Sequence, residues 1–286
     1  MIGRPAIFTW PVLVAQLAIF GTAAFALIFA PVAILKADGS SEPIVKLWRA
    51  LAILNLLMSP LVFIQMAADM AQLTWIQTLP FLQEITAETH AGRFWVWRLI
   101  VVIILAIAMW MPLRAKTMGL AALTLSVALI ALSSATSHAI DRGSLAVAIY
   151  FIHQTAAGLW LGALISLLLS ARVGAGAITA ITPRVSTVCA CSVAIIAASG
   201  ALTAFQWIGW NFHLLVDSSY GRTLVGKLMT ATPALLLGGY NRYWKVPKLS
   251  HRGVRAMLLR NVAGECVLLL AVMAWSALLA NTPPPH

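Results

Sequence analysis

Eight long stretches of this chain carry almost no charge, and that pattern limits the folds open to it. They run Phe8–Leu35, Leu47–Asp69, Phe94–Leu113, Thr117–His138, Ser144–Ser170, Val185–Trp207, Arg222–Tyr240 and Ala256–Ala280. A membrane-spanning helix needs about 20 predominantly apolar residues. In hydrocarbon every backbone polar group must be satisfied within the segment, and runs this long exceed barrel strands, so each reads as a helix. The expected fold is all-α: an integral membrane bundle of about eight transmembrane helices, with residues 1–286 as one membrane domain. Composition agrees, because only 9% of the 286 residues are charged, against roughly 25% in a soluble domain. The first stretch is too long for a signal-peptide core and is kept as a span.

The basic residues set an orientation. Connections after spans one, three, five and seven hold Lys36, Lys46, Arg49, Arg114, Lys116, Arg172, Arg184, Arg242, Lys245, Lys248, Arg252 and Arg255; the other side holds Arg4, Arg93, Arg142 and Arg222. The richer side is read as cytoplasmic, which puts both termini in the periplasm or outside. The net charge of +11 is explained by helix ends and anionic lipid rather than nucleic acid. Trp10, Trp48, Trp75, Trp95, Trp207 and Trp275 lie near expected helix ends, where interfacial anchoring suits them, and Trp160 lies deeper.

That orientation collects His90, His138, His153, His213 and His286 on the outer side, together with Asp69, Glu84, Glu88, Asp141 and Asp217. Imidazole, thioether and carboxylate donors suit a copper ion, as Cu(I) or Cu(II). Met66, Asp69 and Met70 are spaced i, i+3, i+4 and share a helix face; a Met-rich packing stripe is the plain alternative. His138 ends the fourth stretch after Ser133, Ser134, Thr136 and Ser137, while His153 is about two turns inside the fifth. An ionisable group at that depth is costly and marks a site unless it merely bonds a neighbouring helix. The turn between these helices puts the two His at depths about 10 Å apart, so two levels are expected. An outer level would use His138, His90 and the Met66–Met70 face, and His153 would form a deeper step.

Toward the inner side, Cys189 and Cys191 enter the sixth stretch and Cys266 lies in the eighth. A Cys-x-Cys on a helix points its thiols about 200° apart, so the pair reads either as small apolar packing or as a thiolate exit step. Glu265 and Lys227 lie inside spans, and each could pair with the other or with Arg98; a relay is the functional alternative to such a register-fixing pair. Ala91-Gly92-Arg93 with Arg98 echoes Tyr220-Gly221-Arg222 with Lys227, as a parallel duplication of four helices plus four would produce.

At these residues the chain resembles the CopD/PcoD family of copper-resistance membrane proteins. The resemblance rests on Thr89-x-x-Gly92-x-x-Trp95-x-x-Arg98, Ser137-His138-Ala139, and His153-x-x-Ala156-x-x-x-Trp160-x-Gly162-x-Leu164. It continues through Tyr220-Gly221-Arg222-x-Leu224-x-x-Lys227, Asn241-Arg242 with Pro247, and Glu265 before Pro283-Pro284. The first two spans match in hydropathy alone. The resemblance implies an inner-membrane protein of bacteria that moves copper, from periplasm toward cytoplasm, beside a separate CopC-type copper carrier. It points to His138 and His153 as functional positions. The sequence shows no ATP-binding loop and no phosphorylatable Asp motif, so no enzyme activity is expected. The alternative is a membrane b-type haem protein with His axial ligands, which needs two His at matched depth.

Overall fold

The computed structural model describes residues 4–29, 41–283 and 285. The end of the first expected span, Lys36, Pro284 and His286 lie outside the described residues, as does the side chain of Arg4. Eight long helices are described: α1 (Arg4–Ala24), α2 (Glu42–Ala71), α3 (His90–Trp110), α4 (Ala115–Ala135), α5 (Ser144–Ser170), α6 (Ala175–Ile208), α7 (Ser219–Tyr240) and α8 (Arg252–Ala280). Short π-helical turns extend α1 and α7 through Phe25–Phe29 and Asn241–Lys245. Seven of the long helices, α7 excepted, are long and apolar enough to cross a membrane. α7 is more polar, since it carries Arg222, Thr223, Lys227, Thr230 and Thr232.

Large apolar side chains on outward faces, among them Trp97, Ile107, Leu236 and Val267, are exposed. In water such a surface would be a liability; in a bilayer it is the lipid-facing belt. The protein is a multi-pass helical membrane bundle. Its interior is built around α1 and α5, which are the most buried of the long helices. They approach closely because glycines leave the backbones bare. A Cβ on Gly21 would lie 1.7 Å from the Gly158 carbonyl oxygen, and one on Gly162 would lie 2.0 Å from the Gly21 carbonyl carbon. Without a hydrophobic drive between helices in lipid, small residues of this kind supply the contact area.

The packing repeats. α1 packs on α2 and α4, with α3 joining α2 to α4; α5 packs on α6 and α8, with α7 touching both. Across the centre α1 meets α8 and α5 meets α4. Exchanging the first four helices for the last four leaves this pattern intact, which is the arrangement of a 4+4 duplication.

Several boundaries differ from the sequence expectation. α6 starts at Ala175, ten residues before Val185, and runs through Pro183. α4 stops at Ala135, so His138 is not on that helix; it begins a 3₁₀ turn, His138–Arg142, capped by Ser137. The segment between α2 and α3 is not a plain link but holds short helices at Trp75–Thr78, Leu79–Phe81 and Leu82–Glu88. Trp48 and Trp95 are not interfacial anchors. Trp48 is fully buried and donates its indole N–H to Thr22 Oγ1 at 2.9 Å, and Trp95 is 4% exposed beside Arg98.

Candidate metal pathway

The polar side chains in the bundle form two groups along α5. In the first, His153 Nδ1 lies 3.0 Å from Ser199 Oγ on α6, and the ring lies against the bare Cα of Gly200. One position on, Gln154 Nε2 donates to Ser134 Oγ of α4 at 3.2 Å. Lys227 of α7 is within electrostatic reach of His153. A turn earlier, Tyr150 is within reach of Arg98 and of Tyr220. Arg98 donates from Nη2 to Gln16 Oε1 on α1 at 3.1 Å and stacks over Trp95 at 4.5 Å. The α5 segment Tyr150–Gln154 therefore faces polar side chains from α3, α4, α6 and α7, with Gln16 of α1 joined to this group through Arg98.

The second group lies nearer the basic end. Glu265 of α8 is 2% exposed. Its Oε1 accepts from Trp160 Nε1 at 2.9 Å, and its Oε2 faces Asn241 Nδ2 at 3.5 Å. Asn261 Nδ2 donates to Asn241 Oδ1 at 2.8 Å. Arg242 is committed to Ser186, at its carbonyl (2.8 Å) and its hydroxyl (2.9 Å). The expected pairing of Glu265 with Lys227 or Arg98 is not formed. Among the described residues the ion pair present is Lys46–Glu42, at an exposed helix start. Neutral donors satisfy the carboxyl instead, which avoids desolvating two charges at once.

The cysteines are rearranged relative to expectation. With α6 beginning at Ala175, Cys189 lies in the middle of the helix rather than at its entry. Cys191 is exposed on another face. Across the helix boundary the thiol that Cys189 meets electrostatically is Cys266, together with Glu265.

The outer candidates do not converge. Among the described residues no three His, Cys, Asp or Glu side chains are grouped to hold a metal ion. His90 is exposed and its ring lies 4.5 Å from that of Phe94. His138 is exposed in its turn, Met66 is half-buried, and Met70 is exposed at the end of α2. Asp69 accepts from Gln65, which in turn accepts the Trp75 indole N–H at 2.7 Å. Beside this end lies an open groove of about 240 Å³ lined by Ala71, Leu73, Phe81, Glu84, Ile85, Glu88 and Thr89. His153 faces Ser199, not a second imidazole, so the haem alternative gains no support. Ser199, Gln154, Tyr150, Gln16 and Asn241 were missed as site neighbours by sequence reasoning. The two buried glutamines were findable, because an amide inside an apolar run is itself a signal.

A helical membrane bundle with small-residue packing and a polar interior is the class that this fold defines. Two family descriptions divide between its halves: "Copper resistance protein D-like, N-terminal domain" matches residues 6–146, and "Copper resistance protein D" matches residues 179–279. The chain belongs to the copper resistance protein D family, and a copper-resistance role goes with it. It is 26% identical over 268 residues to a protein named "Copper resistance protein D" from Pseudomonas syringae pv. tomato, covering 86% of each chain. The likeness reaches the first two helices as well, beyond the match in hydropathy. No solved structure matches the chain.

Proposed function

We propose that this protein carries copper across the bacterial inner membrane, from periplasm to cytoplasm, with the whole chain working as one membrane unit and His153 as its intramembrane ligand. The observation that carries this reading is the setting of His153. Its Nδ1 is hydrogen-bonded to Ser199 inside a group of polar side chains, and the helices around that group turn apolar faces outward. An imidazole so placed is expensive in a membrane unless it has work to do. Hydrogen-bonded at Nδ1, the ring keeps Nε2 for a metal, and the Ser199 hydroxyl fixes the ring's orientation as outer-shell partners of metal-bound His commonly do.

The outer residues act as collectors rather than as a formed cage. Met66, Met70, Asp69, His90 and His138 stand at one end of the bundle, and their separation suits a site that assembles around incoming copper. Thioether and imidazole favour Cu(I). Delivery by a separate CopC-type carrier would end on this surface. On the far side Cys189 and Glu265 offer a soft and a hard donor for release, and Cys266 lies within electrostatic reach of Cys189.

The test is copper accumulation in cells producing the His153→Ala variant at matched membrane levels. Accumulation falls to the level of cells lacking the protein if His153 is a ligand on the route. Unchanged accumulation with normal insertion removes His153 from the pathway.

A further inference from the structure

Charge inside the outer half of the bundle does not balance. Arg98 is 7% exposed and lies eight residues into α3, about 12 Å along the helix axis. A guanidinium carries five N–H donors and keeps its charge in a protein. One donor reaches Gln16 Oε1, and one face of the group rests on Trp95. Nε is buried and has no hydrogen-bond partner. Gln16 is 1% exposed, and its Nε2 is likewise buried without a partner. Two adjacent residues, joined by a hydrogen bond, thus hold unmet donors beside a full positive charge.

Among the described residues no carboxylate pairs with Arg98. Glu265, the acid buried in α8, is engaged by Trp160 and Asn241. The group within electrostatic reach of the guanidinium is the Tyr150 phenol, which is uncharged. A second cation, Lys227, occupies the matching position of the second repeat and forms no ion pair among the described residues either. An unpaired buried charge is strongly unfavourable, and unmet buried donors cost free energy in addition.

The geometry points to a binding site for one small inorganic anion of the halide class, held by Arg98 Nε and Gln16 Nε2 and walled by Trp95. The two unmet atoms here, a guanidinium N–H and an amide N–H, are both donors, which suits an anion. Arg98 and Trp95 are both buried, which favours a small occupant over a bulky headgroup. The site is independent of the copper reading, although a bound anion would also offset the positive charge that copper meets on its way to His153.

The test uses protein purified in an uncharged detergent and exchanged into potassium gluconate. Chloride replaces gluconate at constant ionic strength, while melting temperature and retention of radioactive chloride in equilibrium dialysis are followed. One chloride per chain and a saturable rise in Tm of roughly 2–4 °C are expected. Gln16→Leu and Arg98→Gln should lose both effects, Arg98→Lys should keep a weakened response, and Lys227→Met should respond like the parent. Retention by the parent protein is read without any variant, so misfolding of Arg98→Gln leaves the proposal testable. Absence of saturable retention overturns it, as does a response that survives in Gln16→Leu and Arg98→Gln. A Tm rise produced by phosphatidylglycerol vesicles and not by chloride overturns it in favour of a lipid phosphate.

Discussion

The starts of α3 and α7 are built alike and used differently. Thr89 caps α3 by accepting from Gly92 N at 2.8 Å, and Ser218 caps α7 by accepting from Gly221 N at 2.9 Å. Each cap hydroxyl also donates back to the preceding short helix, at Ile85 O and Leu214 O. Each glycine is pinched by that same carbonyl: a Cβ would lie 2.2 Å from Ile85 O at Gly92 and 2.0 Å from Leu214 O at Gly221. Six residues later each helix carries a cation. Arg98 is bonded to Gln16 and stacked on Trp95, whereas Lys227 has no ion pair and lies within reach of His153. The backbone device recurs in both halves while the surroundings of the charge have diverged. A repeated scaffold can keep its helix starts and still give the two cations different surroundings.

Three pairs of substitutions probe that comparison. The largest effect should break it: Trp95→Ala removes a buried ring that contacts Arg98 and Phe63 and should cost roughly 3–5 kcal/mol. Its counterpart Leu224→Ala, at a half-buried site, should cost about 2 kcal/mol, read as the difference in melting of the purified proteins. Equal losses would mean that the two surroundings are energetically alike. Next, Gly92→Ala and Gly221→Ala should sharpen it, each destabilising by about 3 kcal/mol, since a backbone carbonyl rather than a flexible side chain must give way. A tolerated alanine at either position would show that its pinch is not shared. The smallest effect is expected at the caps, where Thr89→Ala and Ser218→Ala should each cost about 1 kcal/mol. Protease sensitivity at the helix start should rise equally in both.

The sequence read the elements better than their edges. α5 runs from Ser144 to Ser170 as expected, because Gly143, at φ 91°, breaks the chain immediately before it. Pro183 and Arg184 look like a helix end, so the apolar pattern gives α6 a start only at Val185. Yet one missing N–H and one exposed cation are tolerated near the start of a 34-residue helix. His138 reads as the end of α4 from sequence because a polar helix end and a capped 3₁₀ turn look alike in composition. His153 stood out as an imidazole inside an apolar run, but its partner Ser199 is 46 residues away, and no spacing rule reaches that far. Trp48 and Trp95 mislead for a related reason: an indole near a helix end suits the interface, but Trp48 has a hydroxyl to bond and Trp95 a guanidinium to stack on, and both pack inside.

Hydropathy and glycine placement, both local along the chain, determined an all-helical membrane bundle with a duplicated helix start. Pairing between helices was decided by the tertiary structure alone. Glu265 meets Trp160 and Asn241 instead of a cation, Cys189 comes within electrostatic reach of Cys266 on another helix, and the Arg98 guanidinium keeps an unmet donor. The physical reason is that a helix fixes only which way a side chain points, while the partner it finds depends on the crossing of backbones at Gly21, Gly158 and Gly162. In lipid, where apolar faces gain little by choosing one another, those close crossings select the packing.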